Sequence, residues 1–138
     1  MVDITKIKDN GFMSYNGLYI VEAKENYVKI GVDITEKSLN PFGIVHGGLI
    51  YTLADSAMGI ALATTGRSGV TLNSTIDYLT PGKGKKLFAD TEIVKDGKSI
   101  VVFRVKIRKA LGLFHHVLSH KSFFLCTYYI FHRIILCS

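Results

Sequence analysis

Residues 47–66, which read GGLIYTLADSAMGIALATTG, decide the fold. Asp55 is the only charged side chain in this stretch. Burying a lone carboxylate costs several kcal/mol unless a partner or a reaction uses the charge. We therefore predict a buried helix that carries part of an active site, rather than an ordinary core helix.

A membrane span is the alternative for an apolar stretch of about twenty residues. The aspartate, the glycines and the hydroxyl side chains argue against it, and bulky aliphatic residues are few. The pattern instead predicts a buried helix of a soluble protein from Gly47 to about Thr65, stopped by Gly66, Ser68 and Gly69. No membrane partner is predicted.

The segments around this helix have the alternating pattern of an antiparallel sheet. A helix that is apolar all round must be covered on every side. The predicted fold class is therefore α+β, with a long central apolar helix wrapped by a curved antiparallel sheet. The predicted strands are residues 18–34 (two strands with a break at 24–26), 69–79, 85–95 and 98–109, with a hairpin turn at Asp96-Gly97.

The strand after the helix, residues 69–79, carries polar side chains on both faces. Side chains of a regular strand alternate between the two faces. The alternation places Ser74 and Tyr78 on one face, and Thr71 and Asn73 on the other.

Composition favours a single domain in a reducing compartment. A chain of 138 residues can bury a core without the help of disulfides. Two cysteines near the C-terminus, Cys126 and Cys137, are too few and too clustered for a disulfide framework. The first residues lack the apolar segment of a secretory signal. A cytoplasmic location is therefore predicted.

The positive charge of the chain is concentrated at its C-terminal end. Residues 1–96 carry ten Lys and Arg against eleven Asp and Glu, whereas residues 97–138 carry seven Lys and Arg and no acid. The net charge of +6 thus combines a nearly neutral body with a basic tail. No nucleic-acid-binding motif surrounds these charges, so a nucleic-acid partner is not predicted.

The start of the helix has the chemistry of an oxyanion site. Gly47 and Gly48 leave the backbone N–H groups accessible, and the helix dipole favours a ligand oxygen there. Gly47 and Asp55 are separated by about 12 Å along the helix axis, at about 1.5 Å per residue. A catalytic base must lie within about 3 Å of the reacting group, or one water away. If both groups act on one substrate, two subunits must supply them, which predicts a homodimer with two composite sites.

The sequence around the helix start also resembles a known family. Asn40–Ala63, read as NPFGIVHGGLIYTLADSAMGIALA, is similar to the hot-dog-fold acyl-CoA thioesterases of the phenylacetic-acid-degradation type. The pattern N-x5-H-G-G-x7-D carries the resemblance, and TLNSTIDYLTPG at 71–82 looks like the strand and turn that follow it. The resemblance runs from about residue 15 to 108.

The resemblance implies hydrolysis of an acyl-CoA thioester to free acid and CoA at a dimer interface. It also implies an assembly of two dimers and a reaction that needs neither a metal nor a cofactor. Asp55 matches the residue that attacks the thioester or activates a water, and Gly47 matches the one that polarises its carbonyl. The catalytic candidates are Asp55, Gly47, His46 and Asn40, and the substrate-binding candidates are Gly48, Thr71, Asn73 and Lys83. Lys83, with Lys85 and Lys86, is placed to contact CoA phosphates.

Residues 110–138 depart from the family, so the thioesterase domain is assigned to 1–109 and the rest to an atypical tail. A change of reading frame near residue 109 would explain the abrupt change in composition, and a natural variant strand is the alternative. Residues 122–131 are predicted as a further sheet strand, prone to aggregate if uncovered. The tail histidines have helical spacing, but no other ligand type accompanies them, so no metal site is assigned.

Structural roles compete with these assignments. Neighbouring hydroxyls such as Thr52 or Ser56 could satisfy Asp55, and Asn40 could simply brace its loop. At the level of the whole protein, the alternative function is a non-catalytic hot-dog module that binds or senses acyl-CoA. A hydratase of the same fold class is weaker, because its usual Asp and His lie closer together than Asp55 and His46.

Overall fold

The computed structural model describes residues 11–110 and the backbone of residues 122–130. The predictions for residues 1–10, 111–121 and 131–138, including those for the tail histidines and Cys137, lie outside the described residues. The α+β class is confirmed. The helices and strands are α1 (Gly11–Tyr15), β1 (Leu18–Lys24), β2 (Tyr27–Asp33), a 3-10 turn (Glu36–Ser38), α2 (Gly47–Ala63), β3 (Gly69–Asp77), β4 (Lys86–Asp96), β5 (Ile100–Lys109) and β6 (Ser122–Ile130).

The long helix ends two residues before the predicted boundary. The Thr64 N–H bonds to the Ile60 carbonyl as the helix closes, and the Thr64 hydroxyl donates to the Ala61 carbonyl at 2.7 Å. Gly66 then adopts a φ of +76°. This left-handed conformation strongly favours glycine, which explains why the helix stops here.

The strands form one antiparallel sheet in the order β1-β2-β4-β5-β6-β3. The predicted strand in the tail is confirmed as β6, which pairs with β5 on one side and β3 on the other. Among the described strands β3 therefore lies at the sheet edge and reaches the rest of the sheet only through β6.

The core lies between α2 and the inward face of the sheet. Leu53, Ala57 and Met58 of the helix have no exposed surface. They belong to one cluster with alternating residues of β2 and β5, such as Ile30 and Phe103. Coverage of the helix is incomplete, however, because Gly48 and Tyr51 are exposed in the single chain. The sheet therefore leaves part of one face of α2 accessible.

The predicted Asp96-Gly97 turn is confirmed between β4 and β5. The Gly97 N–H donates to the Ile100 carbonyl at 3.0 Å. A Cβ atom at Gly97 would lie 2.5 Å from that carbonyl oxygen. Close approach of the backbone, rather than a positive φ, therefore requires glycine at this position.

A buried hydroxyl completes the pairing between β2 and β4. Thr91, 4% exposed, accepts a hydrogen bond from the Val28 N–H at 2.8 Å and donates one to the Val28 carbonyl at 3.2 Å. It thereby satisfies two backbone groups of a residue with no exposed surface.

We predict that Thr91→Val lowers the free energy of unfolding by about 2 kcal/mol, because both Val28 groups lose their partner in a buried place. Thr91→Ser retains the hydroxyl and serves as the control. Urea denaturation of the two variants measures the difference. If valine is no more destabilising than serine, the hydroxyl contributes nothing.

Candidate active site

His46 forms the N-cap of α2. Its backbone is extended, with φ −60° and ψ 129°, and its Nδ1 accepts a hydrogen bond from the Gly48 N–H at 2.9 Å. Because Nδ1 is the acceptor, a neutral imidazole carries its proton on Nε2. His46 therefore caps the helix through Nδ1, and Nε2–H is the group of the neutral ring that can donate a hydrogen bond.

One N–H of the first helical turn remains open. The His46 N–H donates to the Ser38 carbonyl at 2.8 Å, the Gly48 N–H donates to His46 Nδ1, and the Leu49 N–H reaches the His46 carbonyl at 3.0 Å. The Gly47 N–H makes no hydrogen bond to any residue in the described part of the chain. Of the four N–H groups that a helix leaves without intrahelical partners, Gly47 therefore supplies the one available to a ligand oxygen.

Tyr78 packs against this helix end, a contact that the sequence pattern did not predict. Its hydroxyl donates to the Gly47 carbonyl at 3.0 Å. A Cβ atom at Gly47 would lie 3.3 Å from the Tyr78 ring and hydroxyl. Burial raises the pKa of Tyr78, and the neighbouring Tyr51 raises it further. Tyr78 therefore stays protonated and remains a donor to the helix.

Asp55 is held by a hydroxyl from β3. Thr71 Oγ1 donates to Asp55 Oδ1 at 2.8 Å. This hydroxyl donor comes from the strand that follows the helix. Asp55 is half-buried rather than fully buried, so its carboxylate keeps some access to water in the single chain.

A bulge in β3 brings Thr71 to Asp55. Thr71 and Asn73 pair with consecutive residues of β6, so Leu72 is an extra residue in the strand. A bulge shifts the alternation of side chains and bends the strand. Thr71 consequently shares the helix-facing side with Ser74 and Tyr78, and the prediction that it faces the other way is wrong.

Three polar contacts, which we call the α2–β3 seam, follow one face of the helix. The Gly47 carbonyl meets the Tyr78 hydroxyl, the Tyr51 hydroxyl meets the Ser74 hydroxyl, and Asp55 meets Thr71. The helical members are spaced four residues apart, which places them on one face of α2. The seam therefore connects the open helix N-terminus with the carboxylate, about 12 Å away along the axis.

Asn40 braces the loop that leads into the helix. Its Oδ1 accepts hydrogen bonds from the N–H groups of Phe42 at 2.9 Å and Ile44 at 3.3 Å. Its backbone N–H donates to the Ile44 carbonyl at 2.8 Å. These contacts favour the bracing role, and direct contact with a substrate stays a prediction.

The remaining binding candidates are not brought together with Asp55. Asn73 is exposed, and alternation from Ser74 places it on the face of β3 that points away from the helix. Lys83 is exposed and lines a cleft of about 270 Å³ with Ile50, Leu87, Ile107, Arg108 and Lys109. Lys86 forms an ion pair with Asp33 at 2.8 Å, which raises the pKa of the lysine and lowers that of the aspartate.

Two further structural findings concern the described residues alone. Within residues 11–110 and 122–130, no group of three or more His, Cys, Asp or Glu side chains could hold a metal ion. In the same part of the chain, no helix has the length and apolar character needed to cross a membrane.

Comparison with known proteins identifies the family. Residues 42–112 match the thioesterase superfamily. The acyl-coenzyme A thioesterase PaaI of Escherichia coli is 31% identical over 103 residues, which cover 71% of this chain and 74% of the relative. A relative from Archaeoglobus fulgidus is 28% identical over 92 residues, 66% of this chain and 60% of its own length. The chain belongs to the thioesterase superfamily.

Solved structures define the type within that family. The smu.793 protein of Streptococcus mutans, bound to acetyl CoA, has 30% identity and a TM-score of 0.72, covering 83% of this chain and 88% of that one. A hypothetical thioesterase of Streptococcus pneumoniae with coenzyme A has 29% identity and a TM-score of 0.73, covering 82% and 87%. The fold is the hot-dog fold, and the chain is an enzyme of the PaaI-like type.

The capping role of His46 can be tested by stability. We predict that His46→Ala lowers the free energy of unfolding by about 1 kcal/mol, because the Gly48 N–H loses its acceptor. His46→Asn replaces the imidazole with a strong N-cap residue and should retain most of that stability. Thermal and urea unfolding compare the two variants. Equal losses in both would contradict the capping role.

Proposed function

We propose that this protein hydrolyses an acyl-CoA thioester at a site shared between two subunits. The carrying observation is that Gly47 offers an open N–H, while the carboxylate suited to activate water lies two turns further along the same helix. A side chain cannot span about 12 Å. Two helices lying side by side and antiparallel would place each Asp55 beside the other subunit's Gly47.

The proposed reaction divides the work between these two groups. The thioester oxygen accepts a hydrogen bond from the Gly47 N–H, and the helix dipole stabilises the negative charge that develops there. Asp55 takes a proton from a water whose oxygen adds to the carbonyl carbon. The C–S bond then breaks, and the proton held by Asp55 passes to the sulfur, so that CoA leaves as the thiol and Asp55 is ionised again. Direct attack by Asp55 on the carbonyl is the other chemical route, and Thr71 orients the carboxylate in both.

The edge of the sheet supports pairing with a second copy. Among the described strands β3 pairs with β6 alone, so its outer edge is open. Val70 and Leu72 on this strand are 53% and 59% exposed, and Tyr51 on the adjoining helix face is 36% exposed. Open strand edges and exposed apolar side chains favour association. We propose a homodimer through this face, with a dimer of dimers as the larger assembly.

The relatives support the substrate class and the pair of residues. Their bound acetyl CoA and coenzyme A favour an acyl-CoA substrate for this chain. The pneumococcal protein has also been solved with an aspartate and with a threonine, sixteen positions apart, each replaced by alanine. Asp55 and Thr71 are separated by the same 16 positions. The low cysteine content favours the cytoplasm as the compartment.

We predict that Asp55→Asn lowers kcat at least about 100-fold, because the amide cannot accept a proton from water. The dimer should persist, since asparagine can still accept the Thr71 hydrogen bond. Thiol release from a panel of acyl-CoA substrates and mass in solution measure the two properties. Unchanged turnover would rule out this mechanism. Tight acyl-CoA binding by the wild type without any thiol release would instead favour the non-catalytic binding module.

Gly47→Pro removes the backbone N–H at this position, and Gly47→Ala is its matched control. Proline is well tolerated at the first position of a helix, and the extended backbone of His46 suits a residue before proline. Alanine adds the same Cβ beside Tyr78 but keeps the N–H. We predict that Gly47→Pro lowers kcat by about 100-fold or more relative to Gly47→Ala. Equal activity of the two variants would show that this N–H is not used.

Combining the variants tests the shared site. Asp55→Asn and Gly47→Pro chains are co-expressed with different tags, and the mixed dimer is purified. One of its two sites then holds an intact Asp55 and an intact Gly47, so about half of the wild-type activity should return. A site within a single chain would leave the mixed dimer as inactive as its parents.

A further inference from the structure

Tyr51 lies at the centre of the α2–β3 seam. It is four residues from Gly47 and four from Asp55, or about 6 Å along the axis from each. Its hydroxyl bonds to the Ser74 hydroxyl on β3. The side chain nevertheless remains 36% exposed on the face of α2 that the sheet leaves uncovered. A large aromatic ring is therefore held in place between the two groups proposed to act on the substrate.

In the antiparallel pair of α2 helices that the proposed function requires, and on which this inference rests, Tyr51 of one subunit lies beside Tyr51 of the other. If residue 47 of one helix meets residue 55 of the other, and the reverse holds at the second site, residue 51 must meet residue 51. The two Tyr51 rings then lie on either side of the twofold axis. Each reacting carbonyl is then flanked by two tyrosines. One is Tyr51 of the subunit that supplies Asp55, one turn before the carboxylate. The other is Tyr51 of the subunit that supplies Gly47, one turn after the open N–H.

The CoA part and the acyl part of the substrate require different surroundings. The CoA arm carries several phosphate charges and requires water or cations. The cleft with the basic rim of Lys83, Arg108 and Lys109 shares no lining residue with the seam. At the centre of the seam, Tyr51 and Ser74 offer an aromatic ring and neutral hydroxyls, with Asp55 as its only charged side chain. An uncharged acyl group fits this centre, whereas phosphates do not.

We propose that Tyr51 is the residue that sets acyl-chain length, closing the inner end of the acyl pocket at the twofold axis. The bond to Ser74 limits rotation of the ring, so the closure is rigid rather than adaptable. Removing the ring opens space along the axis between the two sites. In an apolar pocket, two substrates that differ by one methylene group differ in kcat/KM by about 10-fold or more.

The test separates acyl-length selection from catalysis. Binding of non-hydrolysable S-ethyl-CoA and S-octyl-CoA is measured by calorimetry, and thiol release from acetyl-CoA and octanoyl-CoA is measured in parallel. We predict that Tyr51→Ala and Tyr51→Leu each raise the octyl-to-ethyl ratio of affinities at least about 10-fold. The octanoyl-to-acetyl ratio of kcat/KM should rise by a similar factor.

Tyr51→Phe is the matched control, because it keeps the ring and removes the hydroxyl that bonds to Ser74. Its ratios should stay within about 3-fold of the wild-type values, the span of ordinary packing adjustments. Ratios that do not change in the folded alanine or leucine variant would overturn the proposal. The thioether affinities test Tyr51 even if the wild type releases no thiol, an outcome that would refute the proposed hydrolysis and not the role of this residue.

Discussion

The α2–β3 seam fixes the relation between the helix and the edge strand on which the candidate site depends. Its three contacts join hydroxyl groups of β3 or its following residue to a carbonyl, a hydroxyl and a carboxylate of α2. Each contact holds a polar group of an otherwise apolar helix in a defined orientation. Because β3 is also an edge strand among the described strands, the same contacts hold the proposed dimer surface against the helix that carries Asp55.

The seam in turn depends on the atypical tail. β3 is paired with β6 and, among the described strands, with no other. β6 lies between β3 and β5, so the strand that bears Thr71 and Ser74 is connected to the sheet by residues 122–130. The part of the chain that least resembles the family therefore completes the sheet on which the site is built. Changes to this strand would act on Asp55 through Thr71.

Much of the site follows from local sequence. The apolar stretch, the paired glycines and the lone aspartate predicted α2, its start and the two chemical groups it carries. The contacts from β3 were not predictable in the same way. Strict alternation placed Thr71 on the face opposite Ser74 and Tyr78. Nothing in residues 69–77 indicates that Leu72 is an extra residue in the strand. The contacts of Tyr51 and Tyr78 were not predicted, since their partners lie 23 and 31 residues away in the chain.

The sequence by itself determined the separation of Gly47 and Asp55, because the rise of a helix fixes the distance between residues on it. If both groups act on one substrate, as proposed, that distance requires two chains. Only the tertiary structure decided which N–H stays open and which hydroxyl orients the carboxylate. The first depends on the side-chain conformation of His46, and the second on a bulge and on the order of strands. Both are set by contacts between distant parts of the chain, which local patterns do not encode.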